Sequence, residues 1–228
     1  APYWVSYPEM VGLADGVTVT IPTTEATGFK ITADQLSKSI TGKTKVLLLT
    51  SPSNPTGAVY TRRELEAIAA VVLDRDLYVI SDEIYDRLFY NAEGVPSIAA
   101  ISKELAERTV TINGVSKSFS MTGWRIGYAA GPKEIISAMG RIQDQTTSCA
   151  SSISQRAAVA AFEKGKQFAD DLRAEYHKRR DLMMAEIGKV PGWSCYSPDG
   201  AFYCFVNISK TGKDADALAN ELLEKNQI

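Results

Sequence analysis

Lys117, Asp82, Tyr85, Asn54 and Arg125 bring together an amine, a carboxylate, a phenol, a carboxamide and a guanidinium. A lysine can bond covalently to a carbonyl carbon when its amine is neutral, a state that desolvation and neighbouring positive charge favour. A carboxylate can keep a proton on a ring nitrogen, a phenol and a carboxamide can donate to a ring oxygen, and a guanidinium can grip a phosphate with two parallel N–H bonds. Histidine chemistry is excluded: the single histidine, His177, lies in the charged helical stretch AEYHKRRDLM and reads as a solvated surface residue. Triads and metal sites built on histidine drop out with it, leaving covalent or acid–base work to Lys, Tyr, Asp, Cys or Ser.

These residues cluster where strands end. Thr44–Thr50 reads as a strand buried on both faces, followed by the turn-rich loop SPSNPTG that carries Asn54. Leu77–Ile80 is the next strand and runs into Ser81-Asp82-Glu83, with Tyr85 one helical turn on, so that both side chains can share a crevice. Thr109–Ile112 is a third, leading through Asn113-Gly114 to Lys117 and Arg125, and Ile126–Ala130 a fourth. Thr61 and Glu64 form a capping box for the helix RRELEAIAAVVLDRD, and PKEIISAMGRIQDQ is a further helix. Alternating strands and helices predict an α/β domain with a mostly parallel sheet, in which ligands bind at the carboxyl ends of the strands. Val17–Ile21 is also read as a strand. Near residue 163 the pattern changes to a long charged helix closed by Pro191-Gly192, then a predicted strand Gly200–Asn207 and an amphipathic helix ADALANELLEKNQ. The expected division is therefore 1–163 for the large domain and 164–228 for a connecting helix and part of a smaller α+β domain.

Composition narrows the class. With 25 basic and 27 acidic residues the net charge is −2, and no basic run points to nucleic acid or an anionic membrane surface. No apolar run approaches the roughly 18 residues of a membrane span. Cys149, Cys195 and Cys204 form neither a paired framework nor a CxxC, which fits a reducing, cytoplasmic setting and argues against zinc.

Taken singly, each residue has an ordinary role: Asn-Pro-Thr-Gly is a turn, Asp82 a helix cap, Tyr85 and Trp4 packing residues, Lys117 and Arg125 surface ions. Together they meet every need of pyridoxal 5′-phosphate (PLP): Lys117 for the Schiff base, Asp82 for the pyridinium nitrogen that keeps the ring an electron sink, Tyr85 and Asn54 for the ring's 3-oxygen, Arg125 for the phosphate. The run Gly114-Val-Ser-Lys117-Ser-Phe-Ser-Met-Thr-Gly-Trp-Arg125-Ile-Gly127, with Pro52-Ser-Asn54-Pro-Thr-Gly57 and Ser81-Asp-Glu-Ile-Tyr85 before it, resembles the lysine-site pattern and two further landmarks of the class I (fold-type I) aminotransferases. The resemblance extends over the whole chain and is closest to the bacterial aspartate aminotransferases. It implies that Trp4, in PYWVSYPEM, stacks on the cofactor ring, that an amino acid (aspartate) and a 2-oxo acid (2-oxoglutarate) are the substrates, with prephenate or aromatic amino acids as further candidates, and that the protein is a homodimer. Where many relatives carry a phosphate-binding serine three residues before the lysine, this chain has Gly114, which leaves the contact to Ser116 or to backbone N–H groups. The family's upstream phosphate loop and downstream carboxylate-binding arginine find no counterpart, so the chain reads as a piece of a longer protein. The same cofactor set also serves C–S lyases, synthases and decarboxylases, and a PLP-binding piece inactive by itself is a further alternative.

Overall fold

A computed structural model describes residues 1–91 and 93–227; Ile228, the last residue of the predicted C-terminal part, lies outside them. The strands are β1 (Val46–Thr50), β2 (Tyr78–Asp82), β3 (Thr109–Gly114), β4 (Gly127–Ala130), β5 (Ser194–Cys195) and β6 (Val206–Asn207). The helices are α1 (Ser6–Leu13), α2 (Ala33–Ser39), α3 (Arg62–Asp74), α4 (Lys103–Ala106), α5 (Lys133–Thr146), α6 (Ser152–Lys164), α7 (Lys166–Ile187) and α8 (Ala215–Glu221). The main sheet has the order β1-β2-β3-β4. Its first three strands are parallel and β4 is antiparallel to β3. The segment joining β3 to β4 holds only a short 3₁₀ turn, Thr122–Trp124, in place of the helix that a parallel crossover uses. The result is the expected α/β architecture, a mostly parallel sheet flanked by helices.

Helix α3 shows why this sheet forms. Thr61 accepts from the Glu64 amide while the Glu64 carboxylate accepts from the Thr61 amide at 2.7 Å, which satisfies the first orphan N–H groups of the helix. Leu65, Ile68, Ala69 and Val72 recur at helical spacing, and all four are buried. They pack on Leu47 and Leu49 of β1 and Leu77 and Val79 of β2, with Ile98 and Leu105 closing the cluster. Burial of β1 on both faces is corrected here. Only the α3 side is fully covered among the described residues, whereas Val46 is exposed and Leu48 half-buried.

Three further expectations change. Val17–Ile21 has no sheet neighbour among the described residues; the Ala1 ammonium donates to the Ile21 carbonyl at 2.5 Å, and Val17 and Val19 stay exposed. The Gly200–Asn207 strand shrinks to β6, because Ala201 adopts a left-handed backbone (φ 58°) that interrupts the pleat. Gly200 makes only an isolated bridge to Phe89. The long charged helix begins at Lys166, separated from α6 by Gly165, where a Cβ would stand 2.5 Å from the Ala161 carbonyl and 3.0 Å from the Phe119 ring. Among the described residues no helix is long and apolar enough to cross a membrane, and no group of three His, Cys, Asp or Glu could hold a metal ion.

Candidate functional site at the strand ends

Parallel pairing aligns Thr50 with Asp82 and Asp82 with Ile112, so three strands deliver their following loops to one edge of the sheet. The first loop contains Asn54 and closes at Gly57. A Cβ there would collide with Pro198 and lie 2.7 Å from the Gly200 carbonyl, and its φ of +69° is in the left-handed region. This close approach lets Asp199 and Gly200 donate their amides to the Gly57 carbonyl at 3.0 and 2.9 Å. Ala201 donates to the Leu88 carbonyl at 2.8 Å. Residues 198–201 are thereby clamped between the Asn54 loop and the segment after β2.

Asp82 ends β2 with its carboxylate held by neutral donors. The Tyr7 hydroxyl donates to Oδ2 at 2.6 Å and the Ile84 amide to Oδ1 at 3.2 Å. Trp4 sets its ring edge-on to Tyr7, centroids 5.5 Å apart, and so stands one side chain from Asp82. Tyr85 follows in a hydrogen-bonded turn rather than a helical one, with Leu88 donating to its carbonyl at 2.8 Å. It is buried, its phenol shares a short hydrogen bond with that of Tyr203, and burial, reinforced by this bond, pushes its pKa well above the usual tyrosine value. The half-buried Lys117 places Nζ 5.8 Å from the Tyr85 ring centre and 5.2 Å from that of Phe202. Ser118 ties the lysine loop to the Tyr85 turn by donating to Asp86 at 3.2 Å.

Lys117 and Tyr85 are thus in contact with each other, and Asp82 and Trp4 with Tyr7, at the same end of the sheet. No hydrogen bond or ion pair among the described residues joins Asn54, Ser116 or Arg125 to them. Asn54 and Ser116 are half-buried in their loops, and Arg125 is exposed, donates to the Thr122 carbonyl at 2.9 Å and has a left-handed backbone, φ 54°. Gly114 has a steric reason: a Cβ there would meet the Ile126 carbonyl at 2.8 Å and Ile84 at 3.0 Å, so a serine cannot stand at this position without displacing β4. Four residues went unread in the sequence. Tyr7 sits three places after Trp4 in the same aromatic segment; Phe202 and Tyr203 lie far along the chain and carry no local signal; Glu83, the neighbour of Asp82, is buried and accepts from Ser81 and Ser97 at 2.8 and 2.7 Å. Burial raises the Glu83 pKa.

The donor set fits PLP. Asp82 has neutral donors and no cationic partner among the described residues, so its charge is left for a protonated ring nitrogen, and Lys117 is likewise in no ion pair. Strand-end crevice, lysine and carboxylate define a PLP-type α/β domain. The comparisons agree: the model of aminotransferase classes I and II matches residues 1–228, and the chain belongs to that family, whose enzymes are PLP-dependent transaminases. The aspartate aminotransferase of Bacillus subtilis is 45% identical over 100% of this chain and 59% of its own. The aspartate/prephenate aminotransferase of Cereibacter sphaeroides is 45% identical over 99% and 59%. Among solved structures, the aromatic aminotransferase of Pyrococcus horikoshii superposes with a TM-score of 0.95 at 39% identity, over 100% of this chain and 61% of that one. The chain therefore spans about three-fifths of the length of these relatives.

Proposed function

We propose that the protein is a cytoplasmic, homodimeric aminotransferase that moves the amino group of aspartate to 2-oxoglutarate. The reading is supported by the parallel register that brings the loops bearing Asn54, Asp82 and Lys117 to one edge of the sheet, where Lys117 contacts Tyr85. When bound, PLP supplies an electron-poor ring that accepts the electron pair left by loss of the substrate's α-proton. Lys117 would hold it covalently through Nζ, and the same amine, once freed, would carry the substrate's α-proton. Asp82 would keep the ring nitrogen protonated, Tyr85 and Asn54 would donate to the ring's 3-oxygen, and Trp4 would pack on the ring. Arg125 and Ser116 would hold the phosphate, a guanidinium being suited to it by its paired N–H donors. The relatives' names support aspartate as donor, with prephenate and aromatic substrates in the same range.

The test is incubation with PLP, borohydride reduction and mass mapping of the modified peptide, followed by an assay of amino exchange between aspartate and 2-oxoglutarate. Label on Lys117, its loss in Lys117→Ala, and a fall in exchange of at least about 10²-fold are expected. Label elsewhere would overturn the assignment of Lys117, and PLP-bound protein that eliminates or decarboxylates without exchange would overturn the transaminase reading.

A further inference from the structure

The network behind Asp82 has a direction. Tyr7 is buried, its hydroxyl lies 2.6 Å from Asp82 Oδ2 and 2.7 Å from Thr50 Oγ1, and Thr50 and Asp82 are register partners on adjacent strands. A phenol has one proton. Because that proton goes to the carboxylate, the contact with Thr50 must be made by the threonine hydroxyl donating to the phenol oxygen. Thr50, Tyr7 and Asp82 therefore form a chain of donors pointing at the carboxylate, in which each bond polarises the next. Burial, together with the adjacent Asp82 charge, pushes the phenol pKa up, which favours the neutral, donating form of Tyr7. A cation in its place would cancel the Asp82 charge; a neutral donor fixes one oxygen and leaves the full negative charge facing the crevice.

We propose that Tyr7, oriented by Thr50, is the positioning residue for Asp82. The phenol sets the plane of the carboxylate against the ring nitrogen of the cofactor without competing for its charge. The inference rests on the reading of the site as a PLP site.

The dissociation constant for PLP, read from cofactor absorbance, tests it in five variants whose folding is checked by circular dichroism. Tyr7→Phe is expected to weaken PLP binding about 10-fold, the lower end of what a hydrogen bond to a charged group contributes. Thr50→Val is expected to weaken it less, and Tyr7→Phe with Thr50→Val no more than Tyr7→Phe alone, because Thr50 acts through the phenol. In an Asp82→Asn background Tyr7→Phe is expected to change nothing. A folded Tyr7→Phe protein binding within twofold of the unaltered chain, additive losses with Thr50→Val, or an undiminished effect in Asp82→Asn overturns the inference alone. Failure of the unaltered, folded chain to take borohydride-fixed PLP on Lys117 overturns the site reading beneath it.

Discussion

The two sides of strands β1 and β2 are built on different principles. Toward α3 the residues are mostly Leu, Ile and Val, interdigitated, with Tyr60 the one phenol among them, accepting from the Ile31 amide at 2.9 Å, a core that many sequences of the right pattern and volume could approximate. At the strand ends lie instead a carboxylate, three phenols and an amine drawn from separate segments, with non-glycine residues in left-handed conformations nearby in the chain at Ser120, Arg125 and Ala201. Such conformations cost roughly 1–3 kcal/mol each and persist only where surrounding structure imposes them. The α3 core supplies stability, and the strand-end crevice draws on it to hold polar groups in place.

Substitutions sharpen this contrast. The largest effect is expected from Leu65→Ala, which empties a fully buried position in the α3 core and should cost about 2–5 kcal/mol in denaturant or thermal unfolding. PLP fixation on Lys117 should remain unchanged below the melting transition; its loss in the still-folded variant would show that core and crevice are not separable. Gly57→Ala comes next, at roughly 1–3 kcal/mol, because it forces a side chain into left-handed backbone against Pro198 and Gly200. Unlike Leu65→Ala it should also weaken PLP binding, by displacing residues 198–201 and with them Phe202 and Tyr203; intact binding by the destabilised variant would break the link drawn between the clamp and the crevice.

The smallest effect belongs to the cap of α3 and depends on pH. Burial raises the Glu64 pKa, but the Lys30 ammonium and the Thr61 donors outweigh it and hold the carboxyl below the usual glutamate value. A carboxyl lowered in the fold adds stability above its unfolded pKa and loses it as pH falls through the folded one. Glu64→Gln should therefore cost about 0.2–1 kcal/mol at neutral pH, a range set by the partial exposure of the pair, and nothing at a pH where the native carboxyl is protonated in both states. Unfolding curves at pH 7 and in acid check this, and a cost that persists in acid would mean that Gln fails as an acceptor for the Thr61 amide.

Local periodicity and capping make most of the main sheet and its helices legible in the sequence. The strands through 44–50, 77–80 and 109–112, the Thr61–Glu64 box and the loops bearing Asn54, Asp82 and Lys117 are all properties of neighbouring residues. Val17–Ile21 misled because alternation alone does not supply a partner strand, and Gly200–Asn207 because the clamp on Gly57 and Leu88 bends a β-rich run through a left-handed Ala201.

What the amino-acid sequence determined by itself was the inventory of groups and the order in which strand ends would present them, since hydrophobic period and turn chemistry act over a few residues. Which groups meet was decided only by tertiary structure. Tyr7 reaches Asp82 across 75 positions, and Tyr203 reaches Tyr85 across 118. Contacts of that separation depend on strand register and on one close backbone approach at Gly57, neither of which leaves a trace in the residues immediately around them.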